Sequence, residues 1–104
     1  MIELVDPSQA AYHTLHTQLC HIPTQFAWDV GGSLILFADQ DVLVAYAVLC
    51  DGGVELFEVM HAMRGRGIGT QCIQALKARY PDLSLSGYPK GRAALAFWRK
   101  QGLL

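Results

Sequence analysis

The sequence predicts one mixed α/β domain over residues 1–104, an α+β arrangement around a mixed sheet, with elements in the order β-α-β-β-β-α-β-α. Three observations predict it. Between Leu34 and Val59, three apolar stretches are separated by the turn-forming runs Asp39-Gln40-Asp41 and Asp51-Gly52-Gly53, the pattern of an antiparallel meander. On either side apolar residues recur at helical spacing, at Ala11, Leu15, Leu19 and Ile22, and again at Ile68, Cys72, Ile73, Leu76 and Tyr80. A chain of 104 residues has room for one core.

Ile2 to Val5 reads as a short opening strand. Asp6-Pro7-Ser8-Gln9 then supplies a helix start: Asp6 caps free N–H groups, Pro7 suits the first helical position, and Gln9 completes a capping-box-like pair. This helix is expected to run to about His21, where Pro23 ends it, and residues 24–32 are expected to be irregular. Strands follow at Leu34 to Ala38, Val42 to Leu49 and Val54 to Val59. The second long helix carries Lys77 and Arg79 in its last turn, where cations favour the helix dipole, and stops at Pro81. Leu83 to Ser86 is a short strand, Gly87 to Gly91 a loop, and Arg92 to Gln101 a final helix stopped by Gly102.

The composition is that of a globular chain, 52% hydrophobic and 16% charged, far from the polar signature of disorder. No apolar run reaches the roughly 18 residues of a membrane span, and Met1-Ile2-Glu3-Leu4-Val5-Asp6 lacks the order of a secretory signal, so a cytoplasmic protein is expected. A net charge of −1 gives no reason to expect a nucleic-acid or membrane partner. The charge is unevenly placed, however. All eight Lys and Arg residues lie between Arg64 and Lys100, whereas eight of the nine acids precede Arg64, so an anionic ligand belongs in the C-terminal part. Cys20, Cys50 and Cys72 form no CxxC pair and read as reduced thiols. His13, His16 and Cys20 share a helical face but show no fourth ligand, so no metal site is expected.

The chemistry concentrates where the third meander strand meets the second long helix. A helix N-terminus offers unbonded N–H groups and partial positive charge, which suit a pyrophosphate. In Arg64-Gly65-Arg66-Gly67-Ile68-Gly69-Thr70 the three glycines let an anion approach the backbone, and the two arginines add charge. A Walker A loop would need Lys after Gly69, where Thr70 stands. A dinucleotide fingerprint would need a third glycine at Thr70 and a preceding βαβ strand, not the end of a meander. Both fail on spacing.

The run Arg64-x-x-Gly67-x-Gly69 instead resembles the acetyl-coenzyme A signature of the GNAT-type N-acetyltransferase superfamily. Ala94 to Leu103, with Phe97-Trp98 ahead of Lys100-Gln101-Gly102-Leu103, resembles that family's late helix, and the element order from Met1 to Gly102 is similar. The resemblance implies a GNAT-like acyl-CoA N-acyltransferase fold in a short form lacking the last strands. It also implies acetyl transfer from acetyl-CoA to an amine, a protein lysine, an N-terminus or a small amine, by direct attack in a ternary complex. It places Val59 and His61 near the pantetheine, the segment Arg64, Gly65, Arg66, Gly67, Gly69 and Thr70 around the pyrophosphate, and Trp98 against the cofactor or the core.

Departures from the family pattern define the rest of the expected site. Trp98 stands where the family often has a Tyr, and an indole N–H is no general acid near neutral pH; Tyr88 is the candidate replacement. Gly91 stands where an Asn often opens the late helix. For the general base Glu58 is placed first, as the nearer to the expected thioester, and Glu55 second; three residues apart, the two face opposite sides of a regular strand. The chain ends directly after the late helix, so a homodimer covering the exposed sheet edge is the expected assembly. The alternative reading is a non-catalytic acetyl-CoA-binding or protein-interaction module of the same fold.

Overall fold

The meander forms as its turns require. In the computed structural model, which describes residues 1–104, β2 (Ser33–Asp39), β3 (Val42–Cys50) and β4 (Gly53–Val59) pair antiparallel. Each is joined to the next by a two-residue turn. Gln40 and Asp41 have φ of 50° and 66°, and Asp51 and Gly52 have φ of 52° and 80°, the left-handed pairs whose twist suits a tight hairpin. With β1 (Glu3–Val5) antiparallel to β2, and β5 (Ser84–Leu85) parallel to β4, the sheet has five strands in the order β1-β2-β3-β4-β5.

Helices cover both faces. Leu34, Leu36, Leu43 and Val48 point to the layer of α1 (Ala11–His16) and α2 (Ile22–Val30), where Leu15 and Ala27 are buried. Ile35, Phe37, Ala45 and Ala47 face α3 (Ile68–Arg79) and α4 (Arg92–Lys100), and pack with Cys72, Ile73, Leu76 and Trp98. The alternation of a two-faced sheet is broken by bulges that leave Val44 and Glu55 without cross-strand partners.

The N-terminal region corrects one expectation. Asp6 and Gln9 make only half of a capping box and cap no helix: Asp6 N–H donates to Gln9 Oε1, but the Asp6 carboxylate takes the Ser8 N–H, both at 2.9 Å, and the Gln9 N–H goes to the Asp6 backbone carbonyl. The helix itself starts only at Ala11 and lasts six residues. Pro23 does not end it; Pro23 sits in the first turn of a second helix, where the missing N–H had no acceptor to lose. Residues expected to be irregular are therefore helical as far as Val30, and Gly31 closes α2 in the left-handed region (φ 67°), donating to Ala27 O and Trp28 O. Between the two helices Gln18 holds the connection to the sheet, its Nε2 donating to Asp41 O at 3.0 Å and its Oε1 accepting from Leu43 N–H at 2.9 Å.

Candidate functional site

A wedge opens beside β4. β5 pairs with it only at Gly53–Ser84 and Val54–Leu85, and the last ladder bond runs from Ser86 N–H to Val54 O at 3.1 Å. The chain then turns away through Gly87-Tyr88-Pro89-Lys90-Gly91, while β4 continues to Val59 with β3 alone on its other side. Backbone groups alternate edges along a strand. The Met60 N–H that donates to Val44 O at 2.8 Å therefore fixes Phe57 and Val59 as the residues whose amides face away from β3. A cleft of about 340 Å³ fills the wedge, walled by Val54 to Phe57 of β4, Leu85 to Lys90, and Ala94 and Trp98 of α4.

At its far end β4 passes through the single turn His61–Met63 into the N-terminus of α3. The Arg64 N–H is bonded to His61 O, and the Arg64 Nε–H ties back to Val59 O at 3.1 Å. From there the backbone amides are unused. The N–H groups of residues 65 to 70 donate to no acceptor in the chain, no side chain caps the helix, and the first helical bond runs from Gln71 N–H to Gly67 O. A second groove of about 250 Å³ lies over them, lined by Val59, Met63, Arg64, Gly65, Gly67, Ile68, Gly69, Thr70 and Phe97.

Two glycines shape that groove for different reasons. Gly67 caps α3 at φ 72°, a conformation that costs other residues about 1–2 kcal/mol. Gly69 lies inside the helix, where a Cβ would meet the Phe97 ring at 3.0 Å, so its lack of a side chain lets α4 close on α3. The lining contains an arginine and no acid, and Arg66 is exposed beside it. Free donors, helix dipole and positive charge converge on a space without side-chain obstruction, and a pyrophosphate fits that donor set.

An aromatic cluster separates groove and cleft. Phe57 stacks on Phe97 at 6.0 Å between ring centroids, and Phe97 meets Trp98 edge-on at 4.9 Å. Trp98 is buried in the α3–α4 core with one side on the cleft. Phe97, passed over in the sequence, is the residue that walls the groove; the signal for it was Gly69, a glycine within a helix.

The acid and base candidates separate. Glu55, the bulged residue, lines the cleft and accepts a hydrogen bond from Ser86 Oγ, with Tyr88 across the same cleft, 71% exposed. Glu58 lies on the opposite face, exposed, paired across the ladder with Tyr46, whose hydroxyl donates to Glu58 Oε2 at 2.7 Å. Burial first, and that carboxylate second, raise the Tyr46 pKa well above the usual phenol range. His61 is exposed and lines neither space. Cys72, the cysteine closest in sequence to the glycine run, is fully buried, and burial pushes its thiol up to about 12, so it holds no nucleophilic thiolate at neutral pH. His16 Nε2 is within 2.7 Å of Thr24 Oγ1, and no three His, Cys, Asp or Glu side chains converge on a metal-sized point.

A family model described as "Acetyltransferase (GNAT) family" matches residues 2–103. The chain belongs to the GNAT acetyltransferase family. No curated protein and no solved structure matches it. Membership in the GNAT family supports acetyl transfer as the general chemistry, and the mixed five-stranded sheet with helices on both faces is compatible with a GNAT-like fold. No helix of this GNAT protein is long and apolar enough to cross a membrane.

Proposed function

We propose that the protein is an N-acetyltransferase that moves an acetyl group from acetyl-CoA to an amine by direct attack in a ternary complex. One observation carries the proposal: the unused amides of residues 65 to 70 adjoin the stretch of β4 whose Phe57 and Val59 backbone groups have no strand beside them. The first set of donors suits a pyrophosphate and the second suits the amides of a pantetheine arm. When bound, acetyl-CoA supplies an acyl thioester activated toward an amine.

The chain's own groups divide the remaining work. Residues Gly65 to Thr70 hold the pyrophosphate with backbone N–H groups, and Arg64 and Arg66 add charge. Trp98 and Phe57 wall the cleft where the thioester would lie, keeping it dry. Glu55 takes the proton that an ammonium must lose before it can attack, because its carboxylate lies in the cleft; Glu58, held by Tyr46 on the other face, takes second place. Tyr88 returns a proton to the departing thiolate. His61, outside both spaces, serves at most the rim.

A second reading, a binding module without turnover, is favoured by the buried Trp98, which puts no dissociable proton on the late helix. Release of free thiol with a panel of amines separates the two. The proposal expects release with at least one amine and loss of release in Gly67→Val; tight acetyl-CoA binding with no release on any amine would establish the second reading. A homodimer covering the outer edge of the two-residue β5 completes the proposal.

A further inference from the structure

The core of this protein contains a single polar side chain, Gln101, at the C-terminal end of α4 and 5% exposed. Burying an amide is costly unless its polar atoms find partners. Gln101 is held from three directions. Its backbone N–H donates to Phe97 O at 3.0 Å, its backbone carbonyl accepts from the Lys77 ammonium on α3, and its side-chain Nε2 donates to Thr70 Oγ1 at 3.0 Å. Thr70 lines the groove over the free amides.

A threonine hydroxyl has one proton and two lone pairs. On a helix it commonly turns its proton back to a carbonyl three or four residues earlier. Thr70 makes no such bond: its proton has no acceptor in the chain, and Gln101 occupies a lone pair. We infer that Gln101 is a positioning residue for ligand binding, fixing Thr70 so that its hydroxyl proton is offered to an anionic oxygen seated over the N-terminus of α3. The inference rests on the reading that this groove takes the pyrophosphate of acetyl-CoA. It adds a seventh donor to the six backbone amides of residues 65 to 70, and it assigns a role to a buried amide that packing alone does not require.

The test is calorimetric titration of wild-type protein, Gln101→Met, Gln101→Glu, Thr70→Ser and Thr70→Val with two ligands, acetyl-CoA and acetyl-pantetheine, which lacks the pyrophosphate. Gln101→Met should weaken acetyl-CoA about fivefold, the size of one ordinary hydrogen bond, and leave acetyl-pantetheine unchanged. Gln101→Glu, close to isosteric, should weaken acetyl-CoA further, because a carboxylate accepts the Thr70 proton instead of leaving it free. Thr70→Ser should keep wild-type affinity and Thr70→Val should lose about tenfold. Adding Gln101→Met to Thr70→Val should cost nothing more, since both remove the same contact. Additive losses, equal losses for both ligands, or an unchanged Gln101→Met would overturn the role of Gln101 while the groove assignment stands. Wild-type protein that binds acetyl-pantetheine as tightly as acetyl-CoA would overturn the groove assignment and this inference together.

Discussion

At the scale of single residues, the proposed catalytic roles follow the space each side chain reaches. Glu55 occupies a bulge, where the extra residue is re-aimed away from regular alternation, and that places its carboxylate in the cleft with Tyr88. Glu55→Gln should lower kcat by about 10²-fold or more with little change in acetyl-CoA affinity, whereas Glu58→Gln should cost less than tenfold. Steady-state kinetics on the best amine acceptor, with a separate titration of acetyl-CoA, checks both. A larger loss in Glu58→Gln would move the base to the Tyr46 side of the sheet. The sequence puts Glu58 first, as the nearer to the expected thioester, and the proposal reverses that order on the bulge at Glu55, which has no periodic signature in a strand of seven residues. In the glycine run, in contrast, spacing alone excludes the competing phosphate loops, and a groove lies over Gly65, Gly67, Gly69 and Thr70. Gly67→Ala should retain the fold, since no atom stands within 4 Å of the added Cβ, at a cost of about 1–2 kcal/mol from its left-handed φ. Thermal melting against a parallel titration separates that cost from a loss of binding.

Elements differ in how openly the sequence states them. The hairpins are plain because their turns need left-handed residues and the chain supplies Asp and Gly there, Gln40 being carried into that region beside Asp41. Helix α2 was hidden by one residue. Pro23, Phe26, Ala27 and Val30 form the spacing of a buried helical face, with Pro23 buried and the other three packed on the sheet, but a proline read as a stop also serves as a start. After His16 the chain tightens into three-residue turns, Gln18 N–H donating to Leu15 O and Leu19 N–H to His16 O, and the Gln18 side chain is committed to the β2–β3 hairpin by two hydrogen bonds. Gln18→Ala should therefore destabilise the protein by about 1–2 kcal/mol, measured by urea unfolding, because the Leu43 N–H is left without its acceptor. The turn before α1 is also tied to the end of α3. Asp6 accepts from Ser8 and pairs with Arg79 at 2.8 Å, and the Ser8 hydroxyl, the Ser8 N–H and Arg79, in that order of effect, hold its carboxyl below the ordinary 3.8. A depressed folded pKa contributes stability that is complete above the unfolded value and lost as pH falls through the folded one. The melting-temperature gap between wild type and Asp6→Asn should thus stay constant from about pH 7 to 5 and narrow below about pH 4. A gap independent of pH down to 2.5 would contradict it.

Over the whole molecule, the proposed function rests on an incomplete pairing. Four strands would close a tidy antiparallel sheet, but the parallel β5 pairs for two residues and then departs, leaving half of β4 with a free edge that leads directly to the free amides of α3. The sequence foretold the order of elements around this junction, because each has its own periodicity, but not the cleft, which depends on where two strands separate. The outer edge of β5 carries the assembly proposal: a homodimer predicts a solution mass of twice 11.4 kDa by light scattering, and a monomeric mass at micromolar concentration would sink it. The central claim is that the wedge and the α3 N-terminus together hold acetyl-CoA. Amide chemical-shift mapping of the ¹⁵N-labelled protein during titration with acetyl-CoA reads that claim directly. The largest saturable shifts should fall on Gly65 to Thr70, Phe57 and Val59; saturation with those amides unmoved, or no shift at millimolar ligand, would contradict it.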